Sequence, residues 1–194
     1  VVIVATVRAL KMHGGVEKES LKTENIIALK KGLSNLDRHI NNIKKFGIEP
    51  IVAINHFVLD TKKEIQTIIN FCKNLNIEVS NCKHWAEGGS GIVDLAKKVV
   101  RVCNNSKKQN FKLLYKDNKS LWEKIETIAK EIYRANKITA NDEIKQKLKI
   151  FENNGFKNFP VCIAKTQYSF SIDPKLKGAP SNHEIPIRDV RLSS

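Results

Sequence analysis

The residues best suited to chemistry fall in three short clusters, each closely after a β-branched, apolar run. Arg8, Lys11 and His13 follow "VVIVAT", Asn55, His56 and Phe57 follow "IVAI", and His84 and Trp85 follow "IEVSNCK" with Gly88, Gly89 and Gly91 just beyond. Each cluster supports two readings. The cations could neutralise a phosphate or carboxylate, or form ion pairs with Glu17 or Glu19. Asn55 offers a donor and an acceptor in one side chain, which matches the edge of a purine; an Asx-turn or helix cap would use the same atoms. Phe57 and Trp85 could sandwich a flat heterocycle or serve as ordinary packing. Gly88 and Gly89 could present backbone N–H groups to an anion at a helix start, or let the chain turn sharply beneath Trp85. No paired carboxylates and no Ser-His-Asp order point to a hydrolase. Neither G-x-x-x-x-G-K-[ST] nor G-x-G-x-x-G occurs.

The elements that must position these clusters read as a parallel α/β sheet. The run 1–5 has the continuous β-branched character of a strand buried on both faces. Apolar residues at helical spacing predict a helix over 23–46, stopped by Gly47. A second buried strand covers 51–54. Asp60 or Thr61 caps the next helix, which runs to about residue 75, with Glu64 placed for a capping box. "IEVS" is a third strand, "HWAEGGSG" a loop, and 92–102 a helix. Strand–helix alternation of this kind defines an α/β segment, here 1–107. Ligands of such sheets bind beyond the carboxyl ends of the strands, where all three clusters lie.

A smaller α+β part is expected over 108–194. A polar connection carries an apolar clamp of Phe111, Leu113, Leu114 and Tyr115. Amphipathic helices are expected over 121–134 and 141–153, the second ended by Gly155. "PVCIA" reads as a strand, and "EIPIRDVRLSS" as an extended edge because of Pro186.

The chain has 194 residues and a formal net charge of +14, with 34 Lys and Arg against 20 acids. The lysines are dispersed without a block of like charge, which favours solvated faces with a mild attraction for anions over a nucleic-acid groove. Cys72, Cys103 and Cys162 sit among apolar residues and read as core side chains. No cysteines are spaced C-x-x-C, so no metal site is expected, and nothing suggests a disulfide framework, which fits a cytoplasmic protein. No apolar run approaches the roughly 18 residues of a membrane span.

Four blocks carry a specific resemblance: "VIVATVRALKMHGG", "VAINHFVLDT", "HWAEGGSGIVDLAKKVV" and "FPVCIAKTQYSFSIDPKLKGAP" continuing to "IPIRDVRLS". In this order and spacing, over nearly the whole chain, they resemble the formate–tetrahydrofolate ligases. The resemblance implies a C-terminal fragment of a P-loop-like nucleotide domain whose phosphate loop lies upstream, together with the remainder of the same polypeptide. It implies formation of 10-formyltetrahydrofolate from formate, ATP and tetrahydrofolate through formyl phosphate. ATP, carried with Mg, and tetrahydrofolate enter as substrates, with no tightly bound cofactor and no membrane. A homo-oligomer is a further possibility that the family carries.

Carried over residue by residue, Phe57 and Trp85 match the aromatics that stack on the pterin, and Asn55 lies where the nucleotide base is approached. Arg8 and Lys11 match basic residues after the strand, and the block 165–169 matches a family segment without an assigned contact. Departures from the family pattern are Val58 where Pro is frequent, Ile172 where an acid is usual, and Ser181-Asn182-His183 in place of a Thr-Gly-Phe-type sequence. The alternatives are a non-catalytic nucleotide or folate binder on the same scaffold and, less favoured, a basic nucleic-acid-binding module. The isolated segment is expected to be inactive, since the phosphate-holding loop is outside it.

Overall fold

The computed structural model describes residues 1–105, 111–164, 166 and 168–193. It divides into two compact units, Val1–Lys112 and Leu113–Ser194. The junction expected at residue 107 falls within 106–110, outside the described residues.

The first unit is built on three parallel strands, β1 (Val2–Ala5), β2 (Ile51–Asn55) and β3 (Val79–Cys82), in that spatial order. Val2 pairs with Ile51 and Val52 with Val79, so all carboxyl ends lie on one side. β2 is central, and Ile51 to Ile54 are buried on both faces. β1 is not buried on both faces as its composition predicts. It is an edge strand in which Val4 is 66% exposed while Ala5 packs into the core.

The run after β1 is helical. Thr6 accepts a hydrogen bond from Ala9 N at 3.1 Å and starts helix α1 (Val7–His13). Helix α2 (Ile26–Lys45) begins with Asn25 accepting from Ala28 N and ends before Gly47, whose φ of 72° is left-handed. α1 and α2 touch backbone to backbone. A Cβ on Gly14 would stand 1.8 Å from Ala28 O, and one on Gly32 would stand 1.8 Å from Leu10 O. α3 (Lys62–Asn74) opens with the expected capping box between Thr61 and Glu64. Leu29, Leu33, Leu36 and Ile40 of α2 and Ile65, Ile68 and Cys72 of α3 pack with Ala5, Val52 and Ile54 in one core.

β3 begins two residues later than "IEVS" suggests. Ile77 N donates to Cys72 O and closes the end of α3, with Asn76 at φ 55°, and the ladder to β2 starts only at Val79. The expected loop at 84–91 contains a short helix, α4 (His84–Glu87), and a 3-10 turn over Gly88–Ile92, followed by α5 (Val93–Asn105). Lys98 of α5 donates to Val79 O at 2.7 Å and pairs with Asp94, which also accepts from Ser80 Oγ. Phe111 stacks on Phe46, and Lys112 N donates to Phe46 O.

In the second unit, Ser120 and Glu123 form a capping box for α6 (Leu121–Glu131). A short strand, β4 (Lys137–Thr139), precedes α7 (Asp142–Asn153). Gly155 turns left-handed at φ 90° after α7. β4 pairs in parallel with β5 (Glu184–Pro186), so Pro186 sits on an edge as expected. "PVCIA" is not a strand. Val161 and Ile163 turn toward the α6–α7 core and Cys162 and Ala164 away from it, but no ladder forms, and Val161 N donates to the Tyr115 hydroxyl instead. Cys162, and Cys103 on α5, are exposed rather than core residues, whereas Cys72 and Cys82 are buried; all four are free thiols. Among the described residues no helix is long and apolar enough to cross a membrane.

Candidate functional site at the strand carboxyl ends

β2 delivers Asn55, His56 and the turn that follows. Asn55 is its last ladder residue, opposite Cys82, and His56 N donates to Cys82 O at 3.1 Å. The chain then turns tightly. Phe57 N donates to the Asp60 carboxylate at 2.8 Å, and Asp60 N donates back to Phe57 O. Burial pushes the Asp60 carboxyl above its ordinary value, against the opposing pull of the Phe57 N–H, His56 and Arg8. The turn leaves Val58 and Leu59 exposed and Phe57 half-buried. His56 Nδ1 is buried without a hydrogen-bond partner.

α1 delivers Arg8 to this turn. Its guanidinium carbon lies 5.0 Å from the Phe57 ring centroid. A cation over an aromatic face contributes about 0.5–1 kcal/mol at such partly solvated positions. Arg8 and Phe57, taken from separate clusters in the sequence, thus form one contact.

Lys11, one turn further along α1, does not join them. It is 2% exposed, and its ammonium donates to Leu21 O at 2.7 Å and Thr23 O at 3.0 Å while meeting Glu64 Oε1 at 2.9 Å. All three protons are engaged within the chain, by the Leu21 and Thr23 carbonyls and the Glu64 carboxylate. Its ion-pair partner is neither Glu17 nor Glu19 but Glu64 of α3. Burial pushes the Glu64 carboxyl up, but Lys11 and the N–H groups of Thr61 and Asn25 outweigh it and hold the carboxyl below its ordinary value.

Beyond β3, Trp85 lies on α4 and is 75% exposed. Gly88 takes φ 59°, and its N–H donates to His84 O as the cap of α4. That amide is committed within the turn. Gly91 is the glycine required by close approach, since a Cβ there would stand 2.6 Å from the Lys83 carbonyl carbon. Gly89 has open space on its Cβ side. Among the described residues no group of three or more His, Cys, Asp or Glu could hold a metal ion. In the block 165–169, Lys165 and Gln167 lie outside the described residues, and Thr166 and Ser169 form an isolated bridge.

Two contributors escaped sequence reasoning. Asp60 was legible only as a helix cap, yet it holds the Phe57 turn closed. Glu64 was legible as half of a capping box, yet it also neutralises Lys11. No local spacing announces either contact.

The three-stranded parallel sheet with its flanking helices is that of an α/β protein, a class in which ligands bind beyond the carboxyl ends of the strands, the side on which Asn55 and the Phe57 turn lie. The family model for formate–tetrahydrofolate ligase matches residues 1–194. The chain is 56% identical over 194 residues to the formate–tetrahydrofolate ligase of Pelagibacter ubique, matching 100% of this chain and 34% of the relative. It is 52% identical to the ligases of Sinorhizobium fredii and Ruegeria pomeroyi, again matching all of this chain, with 34% and 35% of each relative covered. The chain belongs to the formate–tetrahydrofolate ligase family, and it spans about a third of the length of the curated relatives it matches.

Proposed function

We propose that this chain supplies the folate-side wall, and part of the base-side wall, of a cytoplasmic ligase that joins formate to tetrahydrofolate at the expense of ATP. A formate oxygen attacks the γ-phosphorus and ADP leaves. N10 of the folate adds to the carbonyl carbon of formyl phosphate, and phosphate departs as N10 loses its proton. The work asked of the protein is positioning and charge neutralisation. Phe57 and Trp85 hold the pterin, Asn55 approaches the nucleotide base, and Arg8 and the Gly89 amide are available to negative charge. Mg arrives with the ATP phosphates. The rest of the polypeptide completes the site.

The single observation that carries this reading is Trp85. A tryptophan 75% exposed on a short, glycine-capped helix at the ligand end of a parallel sheet stabilises no core and presents an open π face. The test is tetrahydrofolate and ATP titration of the full-length ligase carrying Trp85→Ala. Loss of the stack, about 1–3 kcal/mol by analogy with base stacking, raises the folate Kd roughly 5- to 150-fold. The ATP Kd stays within about twofold. Unchanged folate affinity in the folded variant would remove Trp85 from the wall.

A further inference from the structure

Lys11 and Glu64 are a fully satisfied buried ion pair within the layer that carries the candidate site. Lys11 binds two carbonyls of the segment before α2, and Glu64 accepts from Asn25 N, the cap of α2, at 3.1 Å. The other Glu64 oxygen accepts from Thr61 N at 3.1 Å, at the start of α3. The Thr61 hydroxyl donates to Glu24, adding a second tie between the same segments. One pair therefore joins α1, the entry to α2 and the entry to α3.

These are the elements that carry Arg8 and Phe57. Arg8 lies one turn before Lys11 on α1, and the Phe57–Asp60 turn runs directly into Thr61. α1 cannot slide to compensate, because Gly14 and Gly32 already bring its backbone against α2. Apolar side chains could fill the same volume at little or no loss of stability. They could not fix direction, which hydrogen bonds do. We propose that the Lys11–Glu64 pair is a positioning element that sets Arg8 against Phe57 and so aims the Phe57 face at the folate; this rests on the folate-wall reading above.

The test uses the full-length ligase and tetrahydrofolate as probe. Lys11→Met/Glu64→Gln removes the pair without leaving a buried charge. It is compared with Phe57→Ala, with the triple variant, and by melting curve. The expected result is a folate Kd raised about fivefold to tenfold in the folded double variant, with ATP Kd unchanged. Phe57→Ala alone raises the folate Kd at least as much, and the triple variant adds nothing to it. If Phe57→Ala weakens folate but the double variant does not, or if the effects simply multiply, the positioning role is overturned while the folate wall stands. If Phe57→Ala leaves folate affinity intact, the wall fails and the inference falls with it. Should the double variant not fold, Lys11→Arg is judged by the same criteria. It keeps the charge neutralised with a bulkier, planar head, and a rise of about twofold to threefold is expected.

Discussion

Among the described residues each unit of the molecule buries one lysine, and the two do the same job under different electrostatic terms. Lys11 in the first unit and Lys124 in the second both lie on the inner face of a helix and both hold two backbone carbonyls. Lys124 donates to Lys157 O at 2.6 Å and Phe159 O at 3.0 Å, and its ammonium stands 5.8 Å from the Tyr115 ring centroid. Both lysines staple a loop to a helix. Lys11 alone has a carboxylate, and that carboxylate also caps two helices. The first unit thus concentrates its loop geometry in one charged node. The second spreads the same task over carbonyl dipoles and a π face.

The comparison breaks most readily at the charge. Lys11→Met leaves Glu64 buried and unpaired, and breaking such a pair costs about 3–5 kcal/mol. Lys124→Met leaves two unsatisfied carbonyls and costs about 1–3 kcal/mol. Hydrogen exchange at increasing urea, read separately on α1 and α6 amides, measures both. Equal losses would mean that the carboxylate adds nothing to the node.

The two tryptophans sharpen the contrast. Trp122 is half-buried against the core of the second unit, whereas Trp85 is exposed. Trp122→Ala is expected to destabilise its unit by about 2–3 kcal/mol, below the full-burial range because the ring is partly solvated. Trp85→Ala is expected to change stability by no more than about 0.5 kcal/mol. Denaturation midpoints for both variants decide this, and a comparable loss at Trp85 would make it a packing residue.

The smallest expected effect is on pH dependence. Glu64 titrates in the folded state below its ordinary value of 4.5. The unfolded chain therefore binds the proton first as pH falls. The stabilisation is present above about pH 4.5 and is lost as pH drops through the lower folded value. Glu64→Gln should flatten the acid limb of the first unit's stability curve there, and Lys124→Met should leave the second unit's acid limb unchanged. Denaturant unfolding between pH 3 and 6 provides the measurement.

The legible part of the fold was local. Apolar spacing of three and four residues showed α2, α3, α6 and α7. The Thr61–Glu64 box and the left-handed Gly47 and Gly155 marked their ends, because a cap is satisfied within one turn of itself. α1 and β4 were missed because seven and three residues are too few to show a period. The strand expected at "PVCIA" failed for the opposite reason: its alternation is real, but a strand also needs a neighbour, and β4 pairs with β5.

The candidate site divides along the same line. The chain order placed polar and aromatic clusters after three strand-forming runs, and a parallel sheet necessarily brings such ends to one side. The side of the sheet on which Asn55, Phe57 and Trp85 lie was therefore legible from sequence alone. Which cation would face the ligand end was not. Arg8 and Lys11 are one helical turn apart and chemically alike, yet one meets Phe57 and the other is buried against Glu64. That choice depends on how α1 is rotated, which is set by the close contacts of Gly14 and Gly32 with α2. Local spacing determined which residues could form each helix and its caps. Long-range packing decided which faces were left open, because a side chain's partner across the core is fixed by the approach of two backbones and leaves no trace in the spacing of either.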